Sequence, residues 1–346
     1  MDSPSFGAYL TTKFVYNHAV HIKEEDGDKL TFITPWGRYR YLKAPQGYIA
    51  SGDGYTHRDS IISSSIRNKV TLVDDTLIWD KSPEENFYSV CKMLKTYGEA
   101  GLVFNSDKFQ FCQDVVRFAG LEVTEKGVRP AKDFLDAILN LPPPNNISDV
   151  RAFFGMVNQV SYAFSMSSIM EPFRHLLKPG NAFVWSPLLQ ECFEEAKKNI
   201  VAAVEDGVQH FEVNRPTCVA TDWSKGGIGF TLRQKWCRCK NVKFECCSDG
   251  WKINLMGGRF TSPAESRYST IEGEALAMTE ALQKFKYFVL GCPELIVATD
   301  HKPLLGVVNG NLSNIDNPRL LAIIEKTIWF KFKIVHLPGK DNPAFS

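Results

Sequence analysis

Val219-Ala-Thr-Asp-Trp-Ser-Lys-Gly-Gly-Ile-Gly-Phe230 is the stretch on which the reading of this chain turns. Across Thr217–Leu232 apolar and polar side chains alternate around Asp222, the pattern of a half-buried strand that carries an acid. Downstream, Ser269-Thr-Ile-Glu272 opens a long helical pattern that runs to Val289, with Glu274 one turn in. Leu295–Thr299 is a further strand, ending at Asp300, and Trp251–Thr261 and Phe330–His336 supply two more. Strands, helix, then strands in this order fit a mixed sheet flanked by helices, an α/β (α+β) fold. Alone, each acid reads as a solvated strand end or a first-turn helix acid. Together, three acids on rigid elements concentrate like charge, and divalent ions acting on a phosphodiester would justify it.

A second acidic site lies upstream. Thr71–Trp79 reads as two strands meeting at a two-residue acidic turn within Leu72-Val73-Asp74-Asp75. The surrounding segment, Lys29 to about Val128, reads as short apolar strands around one amphipathic helix. Ser82-Pro83-Glu84-Glu85 starts that helix, with Ser as N-cap, Pro at the first helical position and Glu in the first turn. Phe87, Val90, Leu94 and Tyr97 fall at helical spacing and are expected in the core. Leu141-Pro-Pro-Pro144 is a hard break. Beyond it, Ser148-Asp149 opens a helix over Val150–Tyr162, and Pro187 opens another through about Val201. Three blocks follow: residues 1–140, a helical connector at 141–208, and 209–346.

Composition narrows the function classes. The 346 residues are 44% hydrophobic and 23% charged, ordinary for a globular protein, with a net charge of +1. There is no global basic bias for tracking phosphates, so any such surface is local. Lys331-Phe332-Lys333 and Arg38-Tyr39-Arg40 are candidates, each equally readable as a solvated strand face. Met1-Asp2-Ser3-Pro4 lacks the basic and apolar regions of a signal peptide, and no apolar run approaches the roughly 18 residues of a membrane span. The expectation is an intracellular protein, with no membrane partner, whose nine cysteines are mostly thiols. Four cysteines bunch as Cys237-Arg238-Cys239 and Cys246-Cys247. That spacing lies outside the usual zinc patterns, which argues against zinc at Cys237, Cys239, Cys246 and Cys247 and for reduced thiols on a hairpin tip.

The contexts of the acids carry a resemblance. Val219–Phe230, then Ser262-Pro-Ala-Glu-Ser-Arg-Tyr-Ser-Thr-Ile-Glu-Gly-Glu-Ala-Leu-Ala277, then Val297-Ala-Thr-Asp-His-Lys-Pro-Leu304 closely resemble the ribonuclease H domain of gypsy-like (Metaviridae-type) LTR retrotransposon Pol polyproteins. The resemblance implies a ribonuclease H-like mixed five-stranded sheet at 209–346, with Asp222, Glu274 and Asp300 as three of four metal-binding acids. Glu272 is the alternative to Glu274, and the Ala-Leu-Ala that follows suits Glu274 better. The fourth acid falls, by alignment, at Ser346.

Upstream, Phe32-Ile-Thr-Pro-Trp-Gly-Arg-Tyr-Arg-Tyr-Leu-Lys-Ala-Pro-Gln-Gly47 is similar to the template-contacting motif of reverse transcriptase. Val73-Asp74-Asp75 resembles the acidic turn of its palm, and Gly101-Leu-Val-Phe-Asn-Ser-Asp-Lys-Phe109 a following palm motif. Phe118-Ala-Gly-Leu121 resembles the primer-gripping hairpin. The resemblance thus implies a partial reverse transcriptase palm with fingers absent (1–140), a helical thumb or connection (141–208) and the ribonuclease H-like domain. It implies magnesium or manganese at Asp74, Asp75, Asp222, Glu274 and Asp300, and nucleic-acid contacts at Gln46, Gly47, Lys108 and Gly120. The partners it implies are an RNA–DNA hybrid or primer–template, with deoxynucleotides if polymerisation is retained. The early palm acid of the family aligns near Thr12, so polymerisation is expected to be absent or residual. Two alternatives stand beside the enzyme: a nucleic-acid-binding relic without turnover, and a translated fragment with no nucleic-acid role. His336 reads as either a mobile histidine near the nuclease site or a surface residue, and His301 as a loop residue.

Overall fold

The computed structural model describes residues 6–11, 21–45, 48–73, 75–102, 104–164, 169–178, 180–239, 246–247, 250–339 and 342, with 6–11 and 50 described by backbone alone. The chain divides into two compact units, residues 2–126 and Gly127–Ser346. The helical connector therefore lies in the same unit as the C-terminal sheet.

In the first unit the strands are β1 (Phe6–Thr11), β2 (Thr31–Thr34), β3 (Gly37–Arg40), β4 (Lys69–Leu72), β5 (Asp75–Asp80), β6 (Gln110–Gln113), β7 (Val115–Phe118) and β8 (Leu121–Thr124). An antiparallel sheet has the order β4-β5-β1-β6, while β2–β3 and β7–β8 are hairpins. Two helices accompany it where one was expected: Ile49–Ile62 as well as Pro83–Glu99. The second starts as its sequence predicts, with the Ser82 hydroxyl accepting from the Glu85 N–H and Pro83 in the first turn. Its buried face differs from expectation. Phe87 and Leu94 are 51% and 41% exposed, and the buried stripe is Asn86, Val90, Met93 and Tyr97. That stripe recurs at intervals of four, three and four, and shifting it by one residue turns Phe87 and Leu94 toward solvent. Val90, Met93 and Tyr97 pack with Tyr55, Ile66, Ile78 and Leu102, and the buried Tyr97 hydroxyl donates to Asp59.

In the second unit β9 (Gly127–Pro130) pairs with β10 (Val208–Gln209), and the connector runs between them. Its helices are Lys132–Leu139, Ile147–Val160 and Pro187–Val204. The middle one opens three residues earlier than the expected Val150, because Asn146 is the N-cap and accepts from the Ser148 and Asp149 N–H groups. Phe153, Val157, Phe173, Phe193 and Ile200 fill the space between these segments. Beside the proline break, buried Lys197 donates to the carbonyls of Leu139 and Leu141 (3.0 and 3.1 Å) and pairs with Glu194. A buried ammonium is tolerated only when its donors are matched in this way.

The sheet that follows has five strands: β11 (Thr217–Trp223), β12 (Gly227–Lys235), β13 (Trp251–Phe260), β14 (Leu295–Thr299) and β15 (Lys333–His336). Its order is β13-β12-β11-β14-β15, antiparallel among the first three and parallel from β11 through β15. This is the mixed five-stranded sheet expected. The helix Thr270–Lys284 lies across it, burying Ala275, Ala277, Met278, Ala281 and Leu282 with Val219, Ile228, Phe230 and Leu232. Three alanines in that face let the helix approach the strands closely. The helical pattern breaks at Phe285 and resumes as a short segment, Lys286–Val289, and the last strand starts at Lys333, later than Phe330. Among the described residues no helix is long and apolar enough to cross a membrane.

Candidate active site

β11 and β14 are parallel neighbours in register, with Val219 opposite Val297 and Ala220 opposite Ala298. Two residues on, Asp222 and Asp300 emerge side by side at the carboxyl ends of these strands. Strand carboxyl ends are where open sheets with parallel strands gather functional groups. Glu274 arrives from the helix Thr270–Lys284, and two hydrogen bonds brace it against both strands. The Trp223 N–H donates to its Oε1 and the Thr299 hydroxyl to its Oε2, each at 3.3 Å. Asp222, Glu274 and Asp300 each present a carboxylate oxygen, and these atoms all lie within 4.8 Å of one another.

Burial and crowding oppose ionisation here. Desolvation, then the charge of Asp300, raises Asp222 to about 6, against an opposing Trp223 N–H. For Glu274, which is 2% exposed, desolvation and the charges of Asp300 and Asp222 raise the carboxyl to about 8. Three acids so arranged, each opposing the ionisation of the others, fit a divalent cation. Such an ion is held by hard oxygen ligands and would relieve both the repulsion and the desolvation.

The two candidate glutamates separate cleanly. Glu272 closes a capping box, accepting from the Ser269 N–H (2.9 Å), and also accepts from Asn317 and Arg319 (3.0 and 3.2 Å). The Asn317 and Ser269 bonds lower it to about 2. It is a helix-start carboxylate already satisfied, whereas Glu274 faces the acids.

Several contributors escape a reading of the sequence. Thr299 and Trp223 orient Glu274. Gly273 leaves room for the Trp223 indole, since a Cβ there would overlap the ring carbons Cδ2 and Cε2. A glycine inside an early helical turn is the one sequence signal for this contact, since it is disfavoured unless something packs close. Asn342 Nδ2 donates to the Thr221 carbonyl at 2.9 Å, tying the segment after β15 to the strand that carries Asp222. Ser346 lies outside the described residues. His336 ends β15 with its Nε2 3.1 Å from the Asp300 carbonyl oxygen, and His301 stands at the N-cap of Lys302–Asn309.

In the first unit, Asp75 is the first residue of β5, half-buried, and in register with both Leu72 and Thr11. Asp75 therefore stands on the strand rather than in the turn. Asp74, Gln46, Gly47 and Thr12 lie outside the described residues. Lys108 is exposed on a short 3-10 turn, and Gly120 (φ 80°) with Ala119 (φ 52°) forms the two-residue turn joining β7 and β8. Positive φ at both positions matches the twist of the flanking strands. Among the described residues, Asp75 belongs to no group of three or more His, Cys, Asp or Glu side chains placed to share a metal ion.

Comparison with known proteins agrees with this geometry. Residues 212–326 match the family model described as the RNase H-like domain found in reverse transcriptase. The chain is 27% identical over 337 residues to the Tf2-3 and Tf2-7 transposon polyproteins of Schizosaccharomyces pombe, covering 96% of this chain and 24% of each polyprotein. It thus spans about a quarter of the length of these relatives. Among solved structures, the foamy viral protease-reverse transcriptase in complex with an RNA/DNA hybrid superposes with a TM-score of 0.81 at 18% identity, covering 98% of this chain and 45% of that one. The same protein in complex with dsDNA gives 0.78 at 17% identity, covering 97% and 68%. Residues 212–326 are thus similar to the RNase H-like domain of reverse transcriptases, within a sequence similar almost throughout to Ty3/gypsy-type LTR retrotransposon polyproteins.

Proposed function

We propose that this chain cleaves the RNA strand of RNA–DNA hybrids by metal-assisted hydrolysis at Asp222, Glu274 and Asp300. The observation that carries the reading is the convergence of these three carboxylates within 4.8 Å at the ends of two parallel strands. Magnesium or manganese bound there would orient the attacking water and steady the leaving 3′ oxygen. Glu274 would give up its proton as the cation binds, while Trp223 and Thr299 keep its two oxygens aimed. Hybrid selectivity would rest on 2′-hydroxyl and minor-groove contacts rather than base sequence. That a structural neighbour holds an RNA/DNA hybrid is consistent with this substrate class.

The polymerase half is read more narrowly. Asp74 and Asp75 would hold a metal at the tip of the β4–β5 hairpin, Gln46, Gly47 and Gly120 would contact template and primer, and Lys108 would face an incoming deoxynucleotide. Thr12 stands where the family carries an early palm acid, so polymerisation is proposed to be weak. Nucleic-acid substrates imply an intracellular setting. The three sequence blocks are retained as proposed palm, thumb or connection, and nuclease segments.

A labelled RNA–DNA hybrid incubated with the purified chain tests the reading. Cleavage should require magnesium or manganese and disappear in Asp222→Asn. An intact hybrid with both metals present rules the nuclease out. One observation favours a second reading, binding without turnover: Trp329 is 81% exposed beside the exposed Lys331 and Lys333. An aromatic flanked by cations suits a stacked base and a phosphate. Steeply salt-dependent hybrid binding without cleavage would select it.

A further inference from the structure

β12 ends at Lys235 and β13 begins at Trp251, and these two residues are register partners. The connection between them carries Cys237, Cys239, Cys246 and Cys247. Spacings of one residue and none between paired cysteines argue against zinc, yet all four Sγ atoms lie within 4.8 Å of one another, and those of Cys237 and Cys246 are 3.1 Å apart. In a tetrahedral zinc–thiolate centre with Zn–S near 2.3 Å, the sulfurs stand about 3.8 Å apart. The observed spread brackets that edge. A disulfide would need only two of the four.

Gly250 supplies an independent sign that the four sulfurs share one built position. A Cβ there would lie 2.8, 3.0 and 3.1 Å from the Sγ atoms of Cys247, Cys237 and Cys246. The backbone therefore passes against three of the thiols, and only glycine leaves them room. The same residue closes the loop: its carbonyl accepts from the Trp236 N–H at 2.7 Å and its N–H donates to the Cys247 carbonyl at 3.2 Å. Charge is provided for as well. Lys235 is 7% exposed and donates from Nζ to the Cys239 carbonyl at 2.5 Å, placing a buried cation beside a centre that four thiolates and Zn²⁺ would leave at two negative charges.

We propose that Cys237, Cys239, Cys246 and Cys247 bind a structural Zn²⁺ that ties off the β12–β13 connection. Soft thiolates select zinc over magnesium, whereas the carboxylates at β11 and β14 do the reverse, so the two sites partition their metals. Four protein ligands close the coordination sphere, so the zinc has no open position for catalysis. Binding converts four thiols to thiolates and releases their protons to solvent. The proposal stands whether or not the chain is a nuclease.

The test is metal binding by the whole chain, purified under reducing conditions. One zinc per chain is expected by elemental analysis. Cobalt(II) added to the zinc-free protein should give the thiolate charge-transfer and tetrahedral d–d bands of a four-sulfur site, and stoichiometric zinc should abolish them. Cys246→Ser should lose those bands, while Cys91→Ser, at an exposed cysteine outside the cluster, keeps them. The wild-type cobalt spectrum decides the matter even if Cys246→Ser fails to fold. Zinc-free protein that folds, titrates as free thiols and gives no cobalt–thiolate band overturns the proposal. So does a Cys237–Cys246 disulfide that persists in the purified reduced chain.

Discussion

Gly273 lies flat against the indole of Trp223, the residue that follows Asp222 on β11, so closely that a Cβ at 273 would enter the ring. This contact sets how closely the helix Thr270–Lys284 lies on β11, where the Trp223 backbone N–H donates to Glu274 Oε1. Gly273→Ala should therefore act at two levels. Forcing the helix off the ring costs about 1–3 kcal/mol, by the usual penalty for overpacking. It should also lower hybrid cleavage more than it lowers hybrid binding. Gly155→Ala is the control: it lies in the helix Ile147–Val160 with open space around its Cα, and should be neutral or stabilising by up to about 1 kcal/mol. Equal effects of the two substitutions on melting and cleavage would remove the contact from the argument.

The raised carboxyls predict an inverted pH dependence of stability for metal-free protein. Glu274 titrates near 4.5 when unfolded and about 8 when folded, and Asp222 near 3.8 and about 6. In both cases the folded state binds the proton more tightly, so the stabilisation is complete below pH about 4 and lost as pH rises through 8. The loss is on the order of a few kcal/mol. Urea unfolding without divalent ions should show stability falling between pH 5 and pH 8. Glu274→Gln should flatten that slope, and magnesium should stabilise the wild type more at pH 8 than at pH 6. A flat wild-type profile would mean that neither burial nor mutual repulsion raises these carboxyls.

Glu272 and Glu274 are two residues apart and should fail differently. Glu272→Ala removes a capping box and the acceptor for Asn317 and Arg319, at roughly 1–2 kcal/mol of stability, and should leave metal-dependent cleavage within a few-fold of wild type. Glu274→Gln should leave the melting temperature near or above wild type at pH 8 and abolish cleavage. Reversal of this pattern would hand the metal to Glu272.

Much of this was legible from the residues. β11, β14 and the helix Thr270–Lys284 are long, strongly patterned elements, and their acids sit at element ends or one turn in, where the chain's direction fixes their placement. The Ser269-Thr-Ile-Glu272 spacing is itself a capping-box signature and separates Glu272 from Glu274 without coordinates. What was not legible depends on contacts between distant segments. Thr299 and Trp223 orient Glu274 only because β11 and β14 are neighbours. The exposed positions of Phe87 and Leu94 follow from which side of the Pro83–Glu99 helix meets Tyr55 and Ile78, and spacing alone permits either stripe. That the sulfurs of Cys237, Cys239, Cys246 and Cys247 lie within 4.8 Å of one another was likewise not legible, because it depends on residues from both sides of the β12–β13 connection coming together.

Val73 carries the last prediction. It stands at the tip of the β4–β5 hairpin with φ 55°, between register partners Leu72 and Asp75. A β-branched side chain in the left-handed region is strained by about 1–3 kcal/mol and persists only where surrounding structure imposes it. Glycine adopts that backbone without steric penalty, although it loses more entropy on folding. Val73→Gly should raise resistance to urea by up to about 1–2 kcal/mol, whereas Val73→Ile, which keeps the branch, should not. Strain at such a tip is kept where it positions something, and here the neighbour is Asp75. Val73→Gly should therefore lower any primer extension the chain retains while leaving hybrid cleavage by the other unit unchanged. A destabilised glycine variant would show that the turn is at ease and that its shape reports nothing about Asp75.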